Sequence, residues 1–264
     1  MRSATLLVVL AAALPAQARQ EFLPLTSPGF ISDRPDSRSA FGFGGGYASY
    51  DGKGHSLSGP VFFWTLRQGI GKEWALFLGS DAAIMSGTSD GGPAGRIDMS
   101  VAGGSVRGMA GKAYAVGASK LTLAFGLVAP FTIANYPASF NVLTAGKRSS
   151  FTPDTAIALG LGVPITLVAE VPLGQSWTLR PHGLSTLWPG TGIFYAYKFL
   201  GPFTPRRTEG VGPYLTLEGG LAAFHRSGLG VTSRLQWTTS AGNTAATRGA
   251  SVGLAYEFGF GTRM

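Results

Sequence analysis

Strict alternation of apolar and small residues is the feature of this sequence that most limits its fold. In the C-terminal run from Ala250 to Phe260, every second residue is apolar or aromatic, and the residues between them are small except for Glu257. Side chains of a β-strand point alternately to the two faces of a sheet, so this run predicts a strand with one apolar face and one small, polar face. Similar runs recur along the chain, for example over residues 121–127 and 231–237.

Composition narrows the fold class further. The 264 residues include 40 glycines and no cysteine, and 13% are charged against 45% hydrophobic. A helix bundle would lose about 1 kcal/mol for each interior glycine relative to alanine, and a disordered chain would be rich in charge. A soluble β-sandwich would carry many charges on its outward face, whereas here the few charges within the runs lie on the small face. We therefore expect the apolar face to be the outer surface.

A closed transmembrane barrel reconciles these observations. No segment after the first 18 residues contains 18 consecutive apolar residues, which a membrane-spanning helix requires. A closed barrel satisfies every backbone hydrogen bond in lipid and hides its hydrophobicity in alternation. The mean hydropathy of +0.20, high for an exported soluble protein, agrees with this class. The sequence predicts an all-β, antiparallel, up-and-down transmembrane barrel.

The N-terminus has the features of a secretory signal peptide. Arg2 precedes an apolar stretch from Ala4 to Leu14, and Ala16-Gln17-Ala18 matches a cleavage site. The alternative, a membrane anchor, would need nearly twice that apolar length. We expect residues 1–18 to be removed, residues 19–39 to form an N-terminal extension or small plug, and residues 40–264 to form a barrel in the bacterial outer membrane.

Strand number follows from the runs and the turn residues between them. Eleven runs alternate clearly, and single-chain bacterial barrels have even strand numbers. Gly108-Met109-Ala110-Gly111 and Pro189-Gly190 have the composition of turns, and residues 113–118 can form an extra short strand. The preferred count is twelve strands, with ten as the alternative.

Charged residues of the runs are predicted to line the interior, with five cations facing five anions. A balanced set can form a ladder of ion pairs that closes a narrow barrel, or it can line a narrow wet pore with little ion preference. Either arrangement predicts a narrow or gated channel and not a wide porin. The predicted pore-lining residues are Arg67, Asp81, Asp98, Lys120, Glu170, Arg180, His182, Lys198, Glu218, Arg234 and Glu257.

Two short segments resemble a known family. Asp33-Arg34-Pro35-Asp36 precedes the first strand, and Leu66-Arg67-Gln68-Gly69-Ile70 precedes a turn and a Trp/Leu strand. This order resembles small outer-membrane barrels described as transporter-like or phenol-degradation-pathway proteins, relatives of long-chain fatty-acid channels. The resemblance implies a barrel of about twelve strands and the passage of small hydrophobic molecules.

A second segment is similar to the His-x-Ser-Asn motif of outer-membrane lipid A deacylases. His225-Arg226-Ser227 has the His and Ser of that motif, but Gly228 stands where the Asn would be. The resemblance implies an esterase with His225 as base and Ser227 as nucleophile. The alternative interpretation is a polar strand end at a turn.

Three functions therefore remain open. The first is a narrow channel or transporter for small solutes, hydrophobic ones among them, and the second is a structural or adhesive barrel acting through loops 86–95, 135–153 and 200–211. The third is a lipid A esterase. The expected partners are outer-membrane lipid and lipopolysaccharide, the barrel-assembly machinery and a small-molecule solute. The net charge of +8 is dispersed, so we expect no nucleic acid, and the three histidines predict neither a metal nor a cofactor.

Overall fold

A computed structural model describes residues 37–52, 55–70, 73–90, 96–135, 155–196, 207–211, 214–240 and 243–262. The leader, the Asp33–Asp36 motif and most of the predicted loops lie outside these residues. The described residues form eleven strands: β1 (Ser37–Gly52), β2 (His55–Ile70), β3 (Trp74–Asp90), β4 (Arg96–Val116), β5 (Ser119–Asn135), β6 (Thr155–Leu173), β7 (Trp177–Ala196), β8 (Arg207–Val211), β9 (Tyr214–His225), β10 (Leu229–Ser240) and β11 (Asn243–Thr262). None of the described residues belongs to a helix long and apolar enough to cross a bilayer.

The strands close into one antiparallel barrel. Each strand pairs with the next one along the chain, except that β9 pairs with β7 and not with β8, and β1 pairs with β11 to close the sheet. The short strand β8 pairs with the end of β7, while β9 pairs with the rest of β7, so β8 and β9 share one position in the wall. The described strands therefore occupy ten positions, which is the alternative to the preferred count of twelve.

The two ends of the barrel differ in their connections. Ser37 and Thr262 lie together at one end, which we call the turn end, with the tight connections β4–β5, β6–β7 and β9–β10. Gly117 and Gly174 adopt φ angles of 61° and 65° in two of these turns, a conformation that residues with a Cβ rarely take. The opposite end, which carries the longer connections β3–β4, β5–β6 and β7–β8, is called the loop end.

Strand tilt follows from the register around the barrel. The row of paired residues that begins at Ser39 on β1 returns to the same strand at Asp51, twelve residues further toward the loop end. A stagger of this kind requires the strands to tilt against the barrel axis, and a wall of only ten strands keeps the lumen narrow enough for side chains to reach across.

The two faces of the wall separate as the alternation predicts. On β11, the even-numbered residues from Ala250 to Phe260 face outward. Ala255 and Glu257, at odd-numbered positions, are buried inside. Leu235 and Ile84 on the outer face are 69% and 63% exposed, values that are typical of side chains covered by lipid and not by water. The outer surface is that of a transmembrane barrel.

Aromatic rings cover the outside of the closure between the first and last strands. Phe41 on β1 lies 5.5 Å from Phe258 on β11 and 6.1 Å from Trp64 on β2, measured between ring centroids. Phe43 lies 6.0 Å from Tyr256 in the same way. These pairs bury apolar area across the strand pairing that closes the barrel, where aromatic neighbours add stability.

Two predicted turns are wrong. Gly108-Met109-Ala110-Gly111 lies inside the continuous strand β4. Within this strand Met109 points inward, and Gly111 leaves room for the ring of Phe77. Pro189-Gly190 lies inside β7, at the point where the partner of β7 changes from β9 to β8. Proline donates no backbone hydrogen bond, and a break in the pairing tolerates it. Because both segments continue a strand, the wall has fewer strands than twelve.

Close approach of β1 and β11 predicts a selective effect of small substitutions. A Cβ at Gly46 would contact the carbonyl of Val252 and lie 2.6 Å from the Cα of Gly253, and neither backbone atom can move without breaking the sheet. We expect Gly46→Ala to lower the free energy of unfolding by about 1–3 kcal/mol in lipid vesicles. The matched control is Gly219→Ala, because no atom lies within 4 Å of that Cβ. Equal stabilities of the two variants would contradict the prediction.

Candidate functional site

The interior contains two layers of charge, and the first lies nearer the loop end. This upper charge layer consists of Asp81, Arg107, Glu218 and Arg234, all of which are buried. Arg234 Nη1 donates to Glu218 Oε2 at 3.0 Å, and Ser105 donates to Asp81 Oδ2 at 3.1 Å. Two arginines and two carboxylates make the layer electrically neutral, as burial of charge requires.

The lower charge layer lies near the turn end and consists of Arg67, Glu170, Arg180 and Glu257. Arg180 Nη1 donates to Glu257 Oε1 at 2.6 Å, and its Nε lies 3.2 Å from Glu170 Oε1. The guanidinium also lies over the ring of Phe224, 4.6 Å from its centroid. Arg180 thus joins carboxylates from β6 and β11 across the lumen, and this layer is also neutral.

An apolar compartment lies on the loop side of the upper layer. Its side chains point inward from seven strands and are buried against one another. We define it by Ala48, Tyr50, Val61, Ala83, Met85, Met99, Val101, Val128, Ala134, Ala158 and Trp188. Most of the lining consists of aliphatic and methionine side chains, which offer water no strong hydrogen-bonding group.

Two aromatic residues connect the apolar compartment to polar groups. The hydroxyl of Tyr50 donates to Gln236 Oε1 at 3.0 Å and accepts from Arg234 Nη2 at 3.1 Å. Trp188 Nε1 donates to Thr216 Oγ1 at 3.0 Å, and Thr216 bonds Thr238 at 3.1 Å. The rings of Tyr50 and Trp188 face the compartment while their polar atoms lie in the hydrogen-bond network. These groups form the floor of the compartment.

Side chains fill the lumen at every level that the structure describes. Apolar clusters around Phe77 and Phe63 occupy the space between the two charge layers. Trp188 and Thr216 are fully shielded from solvent, and Glu257 is only 1% exposed. Of the two arrangements that the sequence allows, the ladder of ion pairs describes the interior and an open aqueous pore does not.

Most of the predicted interior charges face inward. Seven of the predicted residues are buried in the two layers: Arg67, Asp81, Glu170, Arg180, Glu218, Arg234 and Glu257. His182 is half-buried, with its ring against Gly220 and its Nδ1 3.3 Å from the carbonyl of Arg180. Lys120 is half-buried beside the β4–β5 turn, and Lys198 lies outside the described residues.

The prediction for Asp98 is wrong. Asp98 is exposed on the outer face of β4, and Met99 and Val101 point into the apolar compartment instead. Met99 and Val101 have the apolar character of lipid-facing residues, so the alternation of this segment by itself predicts an inward Asp98. Asp98 lies close to the loop end of β4, where an outward charge meets water and headgroups and not hydrocarbon.

Sequence reasoning missed Arg107 and the methionines. Arg107 is buried in the upper layer, but the predicted turn at residues 108–111 removed it from any strand. Met85, Met99 and Met109 are all buried inside, and the chain has only two other methionines, at its ends. In one uninterrupted strand, residues an even number of positions from Met109 share its inward face. Arg107 and Met99 meet this condition and would have been placed inside.

His225 and Ser227 lie together at the turn between β9 and β10. Ser227 Oγ lies 3.0 Å from His225 Nδ1, and the backbone N–H of Ser227 donates to the same nitrogen at 3.2 Å. The Trp177 ring lies edge-on to His225 at 5.1 Å. Two contacts from one residue to one nitrogen are typical of a turn held by its own side chains. Within the described ranges, no three His, Asp or Glu side chains converge as metal ligands do.

A shallow groove of about 620 Å³ crosses the outer wall over β1, β9, β10 and β11. Its floor is made of small residues, including Gly219 and Ser233, between the apolar walls of Leu221 and Leu235. Ser233 donates to the carbonyl of Leu221 at 3.2 Å, so its hydroxyl is satisfied within the wall. The groove lies on the outer wall, among lipid-facing side chains such as Leu221 and Leu235.

Comparison with known proteins gives similarity of fold only. No family model and no curated protein sequence matches this chain. Among solved structures, it resembles the β domain of the Bordetella autotransporter BrkA (11% identity, 84% of this chain and 100% of that one, TM-score 0.45). It also resembles OprG of Pseudomonas aeruginosa (12%, 85% and 98%, 0.40) and the outer-membrane protease OmpT of Escherichia coli (9%, 87% and 99%, 0.43). These proteins share an outer-membrane barrel fold.

Proposed function

We propose that this chain is a bacterial outer-membrane barrel that passes small apolar solutes through a lumen closed at rest. The apolar outer face supports insertion in a membrane, and short turns at the end where Ser37 and Thr262 lie are typical of the periplasmic side of such barrels. The apolar compartment would then open toward the cell exterior. Lipopolysaccharide at the outer wall and the barrel-assembly machinery are the partners that this location implies.

Methionine in the apolar compartment is the observation that carries the proposal. Met85 and Met99 fill the loop-side lumen together with Trp188 and Val101. Methionine is unbranched and polarizable, so it can rearrange around an apolar guest at little cost. A barrel that only anchors external loops needs no such adaptable lining. The lining therefore favours an apolar solute over an ion or a sugar.

Closure by neutral charge layers explains how such a passage excludes water. Each layer pairs its charges across the lumen, for example Arg234 with Glu218 and Arg180 with Glu257. An apolar solute that enters from the compartment would separate these pairs only transiently. Water and ions would meet the closed layers at all other times. The proposal involves no catalytic step.

Trp188 provides the test of solute entry. It is buried inside the lumen, while the other four tryptophans, Trp64, Trp74, Trp177 and Trp237, are exposed on the outer face. In vesicles of brominated phosphatidylcholine, the lipid quenches the outer four and leaves Trp188 emission. We expect 1-bromooctane to quench this remaining emission, because the solute enters the compartment. Trp188→Phe supplies the background signal.

Uptake by whole cells tests passage itself. We expect cells with the wild-type chain to accumulate radiolabelled octane faster than cells without it, and Met85→Phe with Met99→Phe to reduce uptake to background by overfilling the compartment. Met85→Leu with Met99→Leu is the matched control, because it keeps the volume and the apolar character. Unquenched Trp188 together with equal uptake in all strains would refute the proposed function.

A second candidate is a barrel that anchors external loops, and the filled lumen favours it. Deletion of residues 137–152 then abolishes the binding of whole cells to a surface or partner while octane uptake stays at background in every strain. The lipid A esterase has less support, because His225 and Ser227 lie at the turn end, on the periplasmic side in the proposed orientation. His225→Ala is therefore expected to leave lipid A acylation unchanged.

A further inference from the structure

His182 on β7 points into the lumen with one nitrogen of its ring unused. Its Nδ1 lies 3.3 Å from the carbonyl oxygen of Arg180. Because a carbonyl only accepts, Nδ1 carries the hydrogen, and Nε2 is the nitrogen that can take up a proton. Nε2 is shielded from solvent and has no hydrogen-bond partner, although the residue as a whole is only half-buried. The ring is therefore held in one tautomer, with its basic nitrogen available.

Strand register places this nitrogen beside the upper charge layer. His182 pairs with Gly220 on β9, and Gly220 pairs with Arg234 on β10. A Cβ at Gly220 would contact His182 Nε2 and lie 2.5 Å from its Cε1, so the outer edge of the ring lies over this glycine. The His182 side chain thus leans across β9 toward the strand that carries Arg234.

Glu218 is the carboxylate on the side of the ring that carries Nε2. It precedes Gly220 by two residues on the same inward face of β9, which separates their Cα atoms by about 7 Å. Its Oε2 accepts from Arg234 Nη1 at 3.0 Å, and its side chain is fully shielded from solvent. Glu170 lies on β6, on the opposite side of β7, and meets Arg180 Nε at 3.2 Å. A protonated Nε2 therefore has Glu218 as its acceptor.

Charge balance gives a proton on this ring its effect. The neutral ring leaves both charge layers balanced. A proton on Nε2 adds a third cation next to the upper layer, and a buried cation is unstable without a carboxylate partner. The charged side chains around His182 are Arg180 on its own strand, Glu170 on β6, Glu218 on β9, Arg234 on β10 and Arg107 across the lumen on β4.

We propose that His182 is a proton-operated release for the upper charge layer. The imidazolium formed at Nε2 donates to Glu218 in competition with Arg234 Nη1, and the pair that closes this layer separates. Histidine changes its charge between about pH 5 and pH 8, so the release operates as the medium becomes acidic. No member of the lower charge layer is a histidine, so that layer stays closed. This regulation goes beyond the proposed function and does not depend on which solute passes.

A variant with a weakened lower layer isolates the effect. This lower-layer variant, Arg180→Ser with Glu257→Ser, loses one ion pair but keeps the backbone carbonyl that bonds the His182 ring. In planar bilayers, we expect its mean current to rise about tenfold or more from a silent state when the pH falls from about 7.5 to about 5. Adding His182→Gln should keep it silent, because glutamine takes up no proton. His225→Gln is the matched control and should leave the response to acid unchanged, since His225 lies at the turn end.

Release of Arg234 is also measured without any current. In wild type with isotopically labelled arginine nitrogen, refolded in lipid nanodiscs, we expect the side-chain N–H signals of Arg234 to shift reversibly over the same pH range. Arg234→Lys identifies these signals, and His182→Gln should abolish the shift. Heat-modifiable migration in gels shows that each variant is folded.

The outcomes are decisive in both directions. Current in acid that survives His182→Gln would refute the release and assign the response to protonation of a carboxylate such as Asp81. If the lower-layer variant stays silent, the Arg234 signals decide: a shift that needs His182 supports the release, and constant signals refute it. None of these measurements uses octane uptake or Trp188 quenching, so their failure and the failure of the proposed function are distinguishable.

Discussion

Replacing Arg180 by methionine is expected to lower the free energy of unfolding by about 3–5 kcal/mol. The guanidinium joins Glu257 at 2.6 Å and Glu170 at 3.2 Å, and it covers the ring of Phe224. Its loss leaves two buried carboxylates in a layer whose remaining cation is Arg67, so one negative charge is uncompensated. The barrel is refolded in phospholipid vesicles and unfolded with guanidinium chloride. Tryptophan emission then measures the change in the free energy of unfolding.

Two controls distinguish this charge effect from loss of packing. Changing Glu170 to glutamine in the Arg180→Met background should recover most of the lost stability, because the layer then holds one buried cation, Arg67, and one buried anion, Glu257. Lys112→Met breaks the exposed pair with Glu73 at the turn end and should cost less than about 1 kcal/mol. If this double variant is no more stable than Arg180→Met, the loss comes from packing and not from unpaired charge.

Removal of one ion pair from each charge layer is expected to convert a closed barrel into an ion-conducting one. Glu218→Ser with Arg234→Ser takes one pair from the upper layer, and Arg180→Ser with Glu257→Ser takes one pair from the lower layer. Each double change keeps the layer neutral and leaves a polar space that water can occupy. Because the layers close the lumen in series, we expect only the fourfold variant to conduct.

Single-channel recording in planar bilayers measures the ion conductance of the fourfold variant. At neutral pH, wild type and both double variants are expected to carry no current. Steady current through one double variant would show that a single layer carries the closure. A folded fourfold variant that stays silent would instead assign the closure to the apolar residues between the layers, such as Phe77 and Phe63. Conductance by wild type would contradict the closed lumen itself.

Alternation alone predicted the faces of most strands. The outward face of β11 and the inward positions of Arg180, Glu218 and Arg234 follow from parity, because a side chain in lipid and one in the lumen meet opposite environments. The same logic failed near Asp98, where Met99 and Val101 face a lumen as apolar as lipid. Alternation identifies the two faces of a strand only where the lipid and the lumen differ in polarity. In the apolar compartment they do not differ.

Glycine and proline were less informative than alternation. In a soluble hairpin they mark turns, but here Gly111 makes room for Phe77 and Pro189 marks a change of strand partner inside β7. Misreading the glycine segment split β4 and hid Arg107. The strand count of ten therefore depended on long-range pairing and not on local turn signals.

The sequence by itself determined the class of fold: two-faced strands, scarce charge and a closed wall follow from the period of two and the exclusion of charge from one face. Only the tertiary structure decided what fills the interior. The stagger of ten strands around the barrel decides which carboxylate pairs with which arginine. It also places Met85 and Trp188 in one compartment, with Tyr50 at its floor. That stagger brings together residues far apart in sequence, so no local pattern encodes it.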